Sequence, residues 1–126
     1  MSVFADTSAL LAILDNTDMR HHVAGRVLRG LVAEDEALIS TNYVVVETFA
    51  LAQRRFGLDA VRTLQQDIVP LLDMHWVSDK EHDAGVNAVL TTGRRQVSLV
   101  DCVSFEVMRR LGLNRAFCFD PHFEEQ

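Results

Sequence analysis

The chain has 126 residues, room for a single domain over residues 1–126, and 48% of them are apolar, enough for a continuous core. Its 18 acidic residues against 12 Lys and Arg leave a net charge of −6. This balance excludes a basic protein that coats duplexes and a binder of anionic membranes, while an acidic nucleic-acid enzyme stays open, because bound cations reverse the charge of an acidic cleft.

In chain order, residues 3–5 (Val-Phe-Ala) read as a short buried strand that stops at Asp6-Thr7-Ser8, a capping-type triplet. A helix follows over residues 9–14. Residues 20–33 predict a second helix with an apolar stripe of Val23, Val27, Leu28 and Leu31, which either joins the core or lines a groove for a partner helix. Residues 38–40 are a second short strand. Thr41-Asn42 caps a third helix running to about Phe56, ended by Gly57. A fourth helix covers residues 59–69 and stops near Pro70; residues 72–77 form a strand, and residues 79–90 a fifth helix opened by Asp79. Ser98 starts a sixth helix that ends at Gly112, and residues 115–119 are the last strand. Strands alternating with helices imply right-handed crossovers and a parallel sheet covered on both faces, an α/β fold. In such sheets ligands bind beyond the carboxyl ends of the strands, where strand order reverses.

No stretch approaches the roughly 20 apolar residues of a membrane span, and the opening Met-Ser-Val-Phe-Ala-Asp lacks the basic segment of a secretory signal. Cys102 and Cys118 form neither a CxxC nor a zinc spacing. A reducing, cytoplasmic setting is the expectation.

Four carboxylates stand out. Asp6 closes the first strand and Asp120 the last, so both meet one rim if those strands are neighbours. Each also has a local use, Asp6 as a helix cap and Asp120, before Pro121, as a turn former. Glu47 shares its helix face with the uncharged Tyr43, Val44, Ala50 and Leu51. A carboxylate there is buried and in need of a cation, unless the face looks into a cleft. Asp101 completes a capping box with Ser98, yet an acid in a first helical turn can also face a cleft beside a strand end. Two bare like charges ~4 Å apart repel by about 4 kcal/mol at an effective dielectric of 20. A hard divalent cation relieves such a cluster, and oxygen-only ligands select magnesium or manganese over zinc. The histidines (His21, His22, His75, His82 and His122) lack ligand spacing and read as surface or packing residues. There is no glycine-rich phosphate loop and no GxSxG, and Cys102 sits in an apolar helical run that does not suit a nucleophile.

These residues resemble a known family. Val3-Phe4-Ala5-Asp6-Thr7-Ser8-Ala9-Leu10-Leu11 is similar to the opening of a PIN domain, Ser98-Leu99-Val100-Asp101-Cys102-Val103-Ser104-Phe105 to its third acidic motif, and Ala116-Phe117-Cys118-Phe119-Asp120-Pro121-His122-Phe123 to its last. Glu47, in Val45-Val46-Glu47-Thr48, falls where the family carries its helical acid. Cys118 is a departure, standing where the family often has a hydroxyl residue. The likeness runs from residue 3 to 123 and is nearest to the VapC-type toxins of bacterial toxin–antitoxin pairs.

The resemblance implies a three-layer α/β/α fold, with a short parallel sheet flanked by helices. It also implies a magnesium- or manganese-dependent endoribonuclease, usually a homodimer, held inactive by a cognate VapB-type antitoxin. Asp6, Asp101 and Asp120 would hold one or two cations, with Glu47 ligating or orienting the attacking water. Ser8 and Ser98 would hydrogen-bond the phosphate or a ligand water, or serve only as caps. Arg94-Arg95 and Arg54-Arg55 would either grip the RNA backbone, since an acidic protein needs local cationic patches, or stand as ordinary solvated arginines. The competing expectation is a non-catalytic PIN-type scaffold; loss of the acids marks such scaffolds, and here all four are present.

Overall fold

The computed structural model describes residues 2–119. Ser2–Ala5 (β1) is covered on both faces, with Val3, Phe4 and Ala5 all buried, as suits an inner strand of a parallel sheet. Thr7–Leu14 (α1) and His21–Ala33 (α2) lead to Ala37–Thr41 (β2), and Asn42–Phe56 (α3) and Leu58–Thr63 (α4) lead to Leu72–His75 (β3). Asp79–Thr92 (α5) and Leu99–Leu111 (α6) precede Ala116–Phe117 (β4). Among the described residues the strands form one parallel sheet in the order β3-β2-β1-β4, flanked by helices. The α/β expectation holds. Phe4, Leu10, Val44, Leu64, Val103 and Val107 are fully buried and tie the sheet to α1, α3 and α6.

Strand order runs outward from β1 through β2 to β3, and then returns to place β4 on the other side of β1. The first and last strands are therefore neighbours, with Phe4 opposite Ala116 and Ala5 opposite Phe117. The crevice beyond β1 and β4 is the point of reversal.

Several element ends differ from the sequence reading. The predicted fourth helix stays α-helical only to Thr63, widens into a π-turn over Leu64–Ile68 and closes as a 3-10 turn over Val69–Leu71. Pro70 has no N–H with which to continue an α-helix. The widened turn lets the Val69 N–H reach the Leu64 carbonyl and keeps Leu64 and Ile68 in the core. Strand β3 stops at His75, because the Val77 N–H is taken by Asn42 Oδ1 at 2.8 Å and Ser78 already caps α5. Strand β4 covers only Ala116–Phe117; the Phe119 N–H donates to Ser8 Oγ at 2.7 Å and leaves the ladder. The apolar stripe of α2 is divided. Leu31 is buried and Leu28 half-buried, while Val23 and Val27 stay exposed and line a shallow groove with Phe117 and Phe119.

The caps follow the sequence reading closely. Thr41 Oγ1 accepts the Val44 N–H at 3.1 Å, and Gly57, at φ +89°, ends α3 in a conformation other residues rarely adopt. Among the described residues no helix is long and apolar enough to cross a membrane.

Candidate active site

Asp6 is the first residue past β1. Its carboxylate caps α1, accepting the Ser8 N–H at 3.4 Å and the Ser8 hydroxyl at 3.0 Å. Ser8 Oγ in turn accepts the Phe119 N–H from the segment leaving β4. One serine thus ties the ends of the first and last strands together and fixes the Asp6 rotamer. The predicted capping role of Asp6 is real, and it also holds the carboxylate at the reversal point of the sheet.

Asp101 reaches the same place from α6. Ser98 Oγ accepts the Asp101 N–H at 3.1 Å, and Asp101 Oδ2 accepts the Ser98 N–H at 3.3 Å, which completes the capping box. Both acids are buried, at 2% exposure for Asp6 and 7% for Asp101. Burial is the main force on the Asp6 carboxyl. It outweighs the hydrogen bonds from Thr7 and Ser8 and, with the Asp101 charge pushing the same way, raises the pKa to about 6. Two buried hydroxyls lie near the pair in sequence. Thr7 Oγ1, next to Asp6, and Ser104 Oγ, one turn beyond Asp101, are buried without a hydrogen-bond partner among the described residues.

Glu47 lies one turn after Tyr43 on the same face of α3 and is half-buried, so its apolar neighbours do not enclose it as the sequence suggested. Among the described residues no three His, Cys, Asp or Glu side chains converge in metal-holding geometry. Asp120 lies outside the described residues. Arg94 and Arg95 are exposed in the turn ahead of Ser98. Arg54 and Arg55 sit in the last turn of α3, about 10 Å along the axis from Glu47 and away from the rim, because a helix that starts at a strand's carboxyl end runs away from it.

Three of the histidines act as packing residues, whereas His22 is exposed and His122 lies outside the described residues. His21 Nδ1 lies 2.9 Å from the Ala12 carbonyl, His82 Nδ1 meets the Tyr43 hydroxyl, and His75 Nε2 lies 3.0 Å from both Glu81 oxygens. Burial opposes the Glu81 charge, yet the Ser78 N–H and His75 hold its carboxyl below the usual range. The Ser78–Glu81 capping box is visible as Ser-x-x-Glu in the sequence, although only Asp79 was read as the helix opener. Cys102 is buried, and burial, with the Asp101 charge, raises its thiol pKa, which suits packing and not nucleophilic attack.

The PIN domain model matches residues 3–126, which includes every element that builds this site. The chain belongs to the PIN domain family. Within it, the chain is similar to the 23S rRNA-specific endonuclease VapC20 of Mycobacterium tuberculosis, strains CDC 1551 and H37Rv. The two are 31% identical over 124 residues, 96% of this chain and 91% of the relative. The crystal structure of that VapC20, described as a sarcin–ricin loop cleaving toxin, superposes with a TM-score of 0.85 at 29% identity, covering 98% of this chain and 93% of the other. The PIN fold expected from the motifs is therefore the fold observed, and the relatives are VapC-type members.

Proposed function

We propose that this PIN domain is an endoribonuclease that hydrolyses RNA phosphodiester bonds with the help of magnesium or manganese. In this reading it is the cytoplasmic toxin of a type II pair, restrained by a VapB-type antitoxin, and works as a homodimer. The observation that carries the reading is the buried Asp6–Asp101 pair at the reversal point of the sheet. The endonuclease activity of the VapC20 relative, at 31% identity across nearly the whole chain, supports it.

The pair fits a hard divalent cation. Its donors are all oxygen, both carboxylates are buried, and the Asp6 charge is disfavoured by burial and by Asp101. The orphaned Thr7 and Ser104 hydroxyls suit ligand waters beside the acids. Asp6 and Asp101 would hold one or two ions, with Asp120 and Glu47 as further carboxylates. When bound, the metal lowers the pKa of a water and stabilises charge on the phosphoryl oxygens. Ser8 keeps the Asp6 carboxylate from rotating, and Ser98 does the same for Asp101. Glu47 would join the ligands or orient the attacking water. Arg94, Arg95 and the hydroxyl of Ser98 are the groups proposed to meet the RNA phosphates; the Ser8 hydroxyl gives its one proton to Asp6 and acts through that carboxylate.

The test is cleavage of a stem-loop RNA bearing the sarcin–ricin sequence. Asp6→Asn and Asp101→Asn keep size and capping oxygens, so the folded variants should lose at least about a hundredfold in rate, the upper end for losing even an indirect metal contact. Excess chelator should silence the wild type, and magnesium or manganese should restore it. Full activity in either variant, or cleavage insensitive to chelator, sinks the metal-site reading.

A further inference from the structure

Arg20 stands one residue ahead of α2, at the end of that helix nearest the carboxyl rim of the sheet. Its Cζ lies 5.1 Å from the centre of the Phe119 ring. The same Phe119 donates its N–H to Ser8, and the Ser8 hydroxyl donates to Asp6. Arg20 is thus linked to the acidic pair by a short chain of direct contacts. On its other side Arg20 is held by Asp18. Nε and Nη2 each lie 3.2 Å from one Asp18 oxygen, and Asp18 Oδ1 also accepts the Arg20 backbone N–H at 2.7 Å. The side chain of Arg20 remains 46% exposed.

An ion pair this exposed adds little to stability. It does fix a long side chain that would otherwise sample many rotamers. Two of the five guanidinium N–H groups point at Asp18 and the remainder stay available in a fork that matches a phosphate. The protein carries a net charge of −6, so RNA must be drawn by local cations. The geometry points to Arg20 as a residue that grips a backbone phosphate of the RNA next to the scissile bond, preset by Asp18 and by the face of Phe119. This rests on the ribonuclease reading above and adds a binding residue to it.

The experiment measures cleavage by wild type, Arg20→Ala, Arg20→Lys and Asp18→Asn on the sarcin–ricin stem-loop RNA. Binding of the same RNA is measured over a potassium chloride series, with each change placed on an Asp101→Asn background. Arg20→Ala should raise KM about tenfold, leave kcat within about twofold, and flatten the slope of log affinity against log salt by about 0.7, the value for one single-strand phosphate. Arg20→Lys should keep the slope and raise KM, because the charge survives and the fork does not. Asp18→Asn should behave likewise, because the charge is kept but untied. If Arg20→Ala does not fold, these two variants carry the test, and an unchanged KM in both overturns the proposal. A folded Arg20→Ala with an unchanged salt slope and KM overturns it too, and a lower Tm without either change assigns Arg20 to structure alone. A wild type that neither binds nor cuts the RNA removes the ribonuclease reading and this inference together, whereas a wild type that cuts normally beside an unaffected Arg20→Ala removes only the inference.

Discussion

Asp6 performs two jobs whose energetics oppose each other. As a cap it stabilises α1; as a buried charge it destabilises the metal-free protein. A carboxyl whose pKa is raised from 3.8 to about 6 binds its proton more tightly folded than unfolded. Its contribution to stability therefore declines as pH rises through that window. The ceiling on the loss is about 3 kcal/mol, from 1.36 kcal/mol per unit. Because Asp18, Glu36, Glu81 and Glu106 are shifted the opposite way, the effect has to be read as a difference between two proteins. In chelator, Asp6→Asn should be more stable than the wild type at pH 7, with the advantage shrinking toward zero near pH 4. Urea midpoints at both pH values check this, and an advantage that grows on acidification would refute it. Asp6 and Asp101 were legible in the sequence because capping leaves a local signature, Ser at one end and an acid at a fixed spacing. Arg20 was not, since what sets it apart is contact with Phe119, which no local spacing encodes. Glu47 was legible as an odd charge among apolar neighbours, but the opening of its helix face toward solvent depends on which elements pack beside α3.

At the scale of elements, α5 packs tightly against α6 at Gly85. A Cβ built on Gly85 would collide with Val103 Cγ2 and stand 3.3 Å from the Val103 backbone nitrogen. Val103 is fully buried and lies two residues beyond Asp101 on the same helix. Gly85→Ala should destabilise the protein by about 1–3 kcal/mol through overpacking, even though alanine is the better helix former. A denaturation midpoint equal to or above that of the wild type would show that the helices part without strain. Most helix ends could be read from Thr41, Gly57, Ser98 and Gly112, since caps act within one turn. The π-turn before Pro70 could not, because the choice between stopping and widening is made by the core positions of Leu64 and Ile68. The last strand was overestimated for a related reason. The apolar run from Ala116 to Phe119 suits a buried strand, but the Phe119 N–H finds Ser8 instead of a neighbouring strand.

At the scale of the whole molecule, two buried acids supplied by different elements make the folded state the only one that can bind a cation well. Magnesium at a hundred times its dissociation constant should add about 2.7 kcal/mol to wild-type stability. Asp6→Asn should gain much less in the same titration of Tm, and an equal gain would place the cation elsewhere. The parallel sheet followed from the alternation of strands and helices, whereas the adjacency of first and last strands was only conditional on the sequence. It is decided by which edge of β1 the final crossover reaches. That adjacency also has a bearing on synthesis. β1 pairs with β4, and Ser8 with Phe119, across almost the full length of the described chain. Domains form as their residues leave the ribosome, so Asp6 waits for its partners until the final strand has emerged. A site built this way is assembled only after both ends of the sheet have been made.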